Sequence, residues 1–164
     1  MLISFTRGMQ QRGYVPGAKV VLFEKRKVDS SPNVDLGLVP GDWAYYVHRL
    51  RLINQEPVLL ERLVIPVERF PGFECFDLSK RSLYEVMETE YGVKVMQARQ
   101  SLEPVVAGDY EAKLLEVSEG APLMLERRVA FDQENRAVES GRDLYRGDRF
   151  RFVTEIAPLV LNDF

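Results

Sequence analysis

Apolar and polar positions alternate with period two along most of this chain and change to a helical period only in short stretches. The alternation predicts strands at 19-KVVLFEKRKV-28, at 43 to 53, from Val58 to Val67, at about 93 to 105, at Pro122–Phe131, at Ala137–Tyr145 and at Phe150–Ala157. Asn54 and Gln55 centre one hairpin and 132-DQEN-135 another. Between Ser79 and Tyr91 the period becomes helical, with Leu83, Val86, Met87, Glu90 and Tyr91 in one stripe and Gly92 placed to end the helix. Ser82-Leu83-Tyr84-Glu85 fits the S-x-x-E capping box, which makes Ser82 the N-cap. A second amphipathic helix is expected at 108-GDYEAKLLEV-117. Residues 1–18 are polar and rich in glycine, so they read as a short helix at most, then an extended connector. Long antiparallel strands with two or three helices set on one side give an α+β domain.

One strand face breaks the usual rule. Trp43, Tyr45 and Val47 should head into a core, yet Arg49 and Arg51 share their face. Arginine is rarely buried without a partner. Two guanidiniums so spaced offer forked donors to a carboxylate or phosphate. They could equally pair with Glu61, which shares a face with Leu59, Leu63 and Ile65. A three-residue loop centred on Gln55 would bring Glu61 opposite Arg49.

Ser82 supplies a second anion preference through the amides and dipole of a helix start, although it can also simply cap its own helix. Glu139 and Tyr145 share a face with Gly141 and Asp143, polar enough to line a sugar pocket; the solvated side of an edge hairpin is the plainer reading. His48 points away from the arginines, and Cys75 reads as a semi-buried thiol with no base to activate it.

Composition narrows the classes. The 164 residues suit one ordinary domain, and a single cysteine and a single histidine exclude an intramolecular disulfide and leave no cluster for a metal. No cofactor is expected. Net charge −3 and a pI near 5.4 argue against this chain itself gripping DNA. No apolar run approaches a membrane span, and no leader is evident, so a cytoplasmic protein without a membrane partner is expected. No nucleophile elbow, P-loop or dinucleotide fingerprint appears.

The ordered motifs SFTRGMQQRGYVPGAKV, PGDWAYYVHRLRLINQEPVLLERLVIPVERFPGF, SLYEVMETEYGVKV and VESGRDLYRGDRFRF resemble the UTRA domain, the effector-binding half of GntR-type regulators of the HutC subfamily. The resemblance implies a chorismate lyase-like antiparallel sheet, a small-molecule effector, a homodimer, and operator DNA held by an N-terminal winged helix domain that would precede residues 1–18, a linker remnant. Residues 19–164 would form the effector domain.

The branch resembling repressors of N-acetylglucosamine utilisation binds an amino-sugar phosphate. By that resemblance Arg49, Arg51, Ser82 and Tyr84 would hold phosphate, Phe5 and Thr6 would close on the ligand, and Glu61, Glu139 and Tyr145 would read hydroxyls. A carboxylate or other metabolite as effector, a lyase-like enzyme and a ligand-free dimerisation module are the competing readings.

Overall fold

The computed structural model describes residues 5–29 and 33–155. Among these residues, besides two short 3-10 turns, three α-helices and six strands follow in the order α1 (Phe5–Gln11), β1 (Pro16–Lys27), β2 (Trp43–Ile53), β3 (Glu56–Pro66), α2 (Leu83–Tyr91), β4 (Val95–Val106), α3 (Asp109–Leu115), β5 (Pro122–Asp132) and β6 (Ala137–Arg146). All the pairings are antiparallel, in the sheet order β1-β2-β3-β6-β5-β4. The α+β class and the antiparallel sheet are as expected.

The first hairpin sets the register on which the site depends. Asn54 and Gln55 form a two-residue turn with left-handed φ values of 49° and 70°, the backbone that matches the twist of paired strands. Such a turn pairs Ile53 with Glu56, and a bulge between Arg51 and Leu52 then shifts the ladder by one. Arg49 therefore lies opposite Glu61 and Arg51 opposite Leu59. The expected pairing is realised by a turn plus a bulge, not by a three-residue loop.

One sheet face is divided. At one end Tyr45, Val47, Leu63, Ile65 and Ala130 pack beneath Leu83, Val86 and Met87 of α2, forming the main core. Tyr45 anchors it, donating through its hydroxyl to the Phe70 carbonyl at 3.0 Å and accepting from the Phe73 amide at 3.2 Å. Helix α2 ends at Gly92, whose φ of 66° is the left-handed conformation that glycine adopts without penalty. At the other end of the same face the strands carry charged side chains, described below.

Four expectations are corrected. The helices do not all lie on one side: Ala112 and Leu115 of α3 pack with Leu50, Leu60, Leu123, Leu125 and Leu144 on the opposite face. Phe150–Glu155 is not a strand, and Ile156 and Ala157 lie outside the described residues. Its aromatics instead set Phe150 and Phe152 edge-on to the Tyr145 ring, with centroids 4.9 and 5.1 Å away. Trp43, at the outer end of β2, is half exposed under Lys25 and Lys27, and Cys75 is exposed. Met1–Ser4 of the expected linker also lie outside the described residues, and among those described no helix is long and apolar enough to cross a membrane.

Candidate functional site

The charged half of the divided face is a ladder running across four strands. Arg49 pairs with Glu61, and because Leu60 faces Leu144 and Leu63 faces Gly141, Glu61 falls beside Asp143; Asp143 pairs in turn with Glu126. Arg51, Tyr145, Gly141 and Arg128 flank this row on the same face. All four members of the row and Arg51 are buried. Together with Phe5, Ser82, Leu83, Tyr84, Leu59, Gln100 and Phe150 they wall a cavity of about 450 Å³, within the range of small-molecule sites.

The arginine corner is built as follows. Arg49 donates to Glu61 through Nε at 2.8 Å and approaches it through Nη2 at 2.7 Å, with Nη1 on the Leu78 carbonyl at 3.3 Å. Arg51 is held more loosely: Nη1 stands 3.5 Å from Glu61, and Nη2 donates to Thr6 Oγ1 at 2.8 Å. The Arg51 guanidinium also lies over the Phe5 ring, 4.5 Å from its centroid. Its Nε is buried with no hydrogen-bond partner. Burial pulls the Arg51 pKa down and the like charge of Arg49 adds to the effect, while Glu61 opposes it. For Glu61 burial pushes the carboxyl up, but Arg49, Arg51 and Arg128 outweigh it and hold the group below its ordinary range.

Ser82 occupies the N-cap of α2, but its side chain makes no capping bond. The capping box is not formed, and the Glu85 carboxylate pairs with Arg81 at 3.2 Å. The Ser82 residue instead borders the cavity, beside first-turn amides that a helix leaves unpaired. Tyr84 donates to Glu139 Oε2 at 3.2 Å. Burial and then Glu139 push its phenol well above the ordinary range, so it is a donor at neutral pH.

The second hairpin differs most from expectation. Strand β6 is central, not an edge, so the face bearing Glu139, Gly141, Asp143 and Tyr145 is buried and not solvated. Arg128 crosses over Gly141, its cross-strand partner, and reaches carboxylates on both strands. Nη2 donates to Glu139 Oε1 at 3.0 Å, while Nη1 donates to Asp143 Oδ2 at 2.9 Å and to Glu126 Oε2 at 3.3 Å. Glu126 also accepts from the Tyr145 hydroxyl at 2.9 Å. Burial and Glu126 push that phenol upward, so it too is a donor.

Glycine at 141 has a packing reason. An added Cβ would stand 2.8 Å from Glu139 Oε1 and 2.9 Å from Arg128 Nη2. The guanidinium is fixed by three carboxylates and cannot give way freely. Gly141→Ala is therefore expected to destabilise by about 1–3 kcal/mol in urea titration. A midpoint equal to the parent's would show that Arg128 has room to shift.

Phe5, Arg49, Arg51, Glu61, Ser82, Tyr84 and Tyr145 thus border one cavity, with Thr6 bonded to Arg51 and Glu139 bonded to Tyr84 and Arg128 just behind the wall. Sequence reasoning missed Arg128 and Glu126 and left Asp143 unused. The period of β5 could have found the first two, since Glu126, Arg128 and Ala130 alternate onto one face.

The fold and this interior site define a chorismate lyase-like α+β domain with a polar ligand-sized cavity. The family profile described as the UTRA domain matches residues 11–151, and the chain belongs to that family. It is 32% identical over 154 residues to the HTH-type transcriptional repressor NagR of Bacillus subtilis, covering 93% of this chain and 62% of that protein. The HTH-type transcriptional repressor PhnF of Mycolicibacterium smegmatis is 29% identical, over 91% of this chain and 61% of its own length. The chain therefore spans about three fifths of the length of these two transcriptional repressors. Among solved structures, the effector domain of PhnF from Mycobacterium smegmatis superposes with a TM-score of 0.87 at 26% identity, covering 94% of this chain and 95% of that one.

Proposed function

We propose that this chain is the effector-sensing domain of a cytoplasmic GntR-type repressor and that its cavity takes a sugar phosphate, most simply an amino-sugar 6-phosphate. The observation that carries this is the convergence of Arg49, Arg51 and the unbonded N-cap Ser82 on one cavity, with the Arg51 Nε buried and unpartnered. A phosphate there would meet two guanidiniums, a hydroxyl and the positive end of a nine-residue helix. Tyr84 joins them if its hydroxyl turns from Glu139 to the phosphate. Glu61 and Tyr145 then face sugar hydroxyls, with Glu139 acting from behind the wall through Tyr84 and Arg128.

The coupling to DNA runs through α1. Phe5 and Thr6 both contact Arg51, so a ligand that pulls on Arg51 changes what holds the segment leading to a winged helix domain upstream of residues 1–18. A ligand shifts such an equilibrium only through differential affinity for its states. In this reading the protein works as a homodimer and touches operator DNA only through that upstream domain.

A thermal-shift screen against glucosamine 6-phosphate, N-acetylglucosamine 6-phosphate, other sugar phosphates, inorganic phosphate and chorismate tests the assignment. A ligand at about 100 times its dissociation constant adds about 2.7 kcal/mol and moves the midpoint by several degrees. Silence from every phosphate would remove the sugar-phosphate reading.

A further inference from the structure

An anion at the arginine corner leaves the other half of the cavity unexplained. Glu61, Glu126, Glu139 and Asp143 are all buried there, against the guanidiniums of Arg49, Arg51 and Arg128. With every group ionised, four carboxylates against three guanidiniums sum to −1, and a phosphate would add about −1.5 to −2 more. Hydroxyls on a sugar cannot offset that in a low-dielectric cavity.

A second observation points the same way. Besides Arg51 Nε, the cavity wall holds one more buried side-chain atom without a partner, Asp143 Oδ1. One is a donor and the other an acceptor. Asp143 lies two strand spacings from the β2 arginines and Glu126 three, about 10 and 14 Å of backbone. The cavity is therefore polarised, with unspent donors on β2 and an unspent acceptor on β6. Burial pushes the Asp143 carboxyl well up; Arg128 opposes this and Glu61, Glu139 and Glu126 reinforce it. Its one cation, Arg128, reaches Oδ2 and is shared with Glu126 and Glu139, so Oδ1 is left without a donor.

We propose that the effector is a zwitterion, its phosphate on Arg49 and Arg51 and a primary ammonium seated against Asp143 and Glu126, so that Asp143 selects free amino-sugar phosphates over their hydroxyl and N-acetyl counterparts. This rests on the phosphate reading above and adds the charge of the other end. The ammonium supplies the missing cation, gives Asp143 Oδ1 a donor, and returns the cavity toward neutrality. An N-acetyl group brings only a neutral amide, and a hydroxyl leaves the carboxylates uncompensated.

Calorimetry of this chain with glucosamine 6-phosphate, N-acetylglucosamine 6-phosphate, glucose 6-phosphate and inorganic phosphate decides the matter. The amino sugar should bind at least about tenfold more tightly than either of the other two sugars, the size of one charge-assisted hydrogen bond. In Asp143→Asn the ratio of amino sugar to glucose 6-phosphate affinity should fall to near one. Glu126→Gln should lower the same ratio and serves as the second test if Asp143→Asn melts early.

Equal affinities in the parent protein, or a ratio unchanged in both variants, would overturn the ammonium seat while leaving the phosphate site standing. Binding by none of the four compounds would overturn both.

Discussion

Arg128→Met should lower stability by about 3–5 kcal/mol, the cost of removing one partner from a buried ionic cluster, and so drop the melting midpoint by roughly 10 °C. Methionine keeps much of the volume, so what is lost is charge. Three buried carboxylates, Glu126, Glu139 and Asp143, then share no cation. The pH dependence separates this cause from a packing defect. Asp143 already has a folded pKa above its ordinary value, a group whose stabilising contribution is present below its unfolded pKa and lost as pH rises through the folded one. Arg128 pulls that pKa down, so its removal raises it further. The variant should therefore lie closer to the parent at pH 5.5 than at pH 8. Melts recorded at both values check this, and a deficit of equal size at the two would assign the loss to packing instead.

The cluster also shows where periodicity stops being informative. Alternation identified β2 and its inward face correctly, because that strand runs WAYYVHRLR, with the aromatic and aliphatic residues at its start fixing which side is core. It also placed Glu61 opposite Arg49. The pairing arose because the bulge offsets the two-residue turn by one position. For β6 the same alternation was read correctly but assigned to the wrong environment. Glu139, Gly141, Asp143 and Tyr145 look solvated in one dimension, and only the strand order, with β6 between β3 and β5, buries them. Sheet order is a long-range property that no local window carries.

Two other differences have local causes. The S-x-x-E pattern at Ser82 implied a capping box, but the Glu85 carboxylate pairs with Arg81, and the serine side chain makes no capping bond and borders the cavity. The motif placed the helix start correctly and misjudged what its side chains do. The aromatic alternation at Phe150–Ala157 imitates a strand, although Phe150 and Phe152 serve to enclose Tyr145. The opposite placement of α3 was hidden for a different reason: an amphipathic helix shows that it covers a face, not which face of the sheet it covers.

Arg51→Ala should behave in the opposite manner to Arg128→Met, with little change in stability and a large loss of binding. Within the domain Arg51 makes one 3.5 Å approach to Glu61, one bond to Thr6 and a contact with the Phe5 ring, and both burial and Arg49 work against its charge. Glu61 keeps the two close contacts from Arg49 when Arg51 is gone. The variant should therefore unfold within about 1.5 kcal/mol of the parent in urea. Binding of a phosphate effector should fall by about 2–5 kcal/mol, roughly 30-fold to several thousand-fold, because a buried charged contact is lost. Arg49→Ala makes the contrast, since it strips Glu61 of its closest partner and should cost more in stability. Calorimetry paired with urea titration on both variants separates the roles. An Arg51→Ala protein that binds its effector with unchanged affinity would mean that the arginine pair turns inward for Glu61 alone.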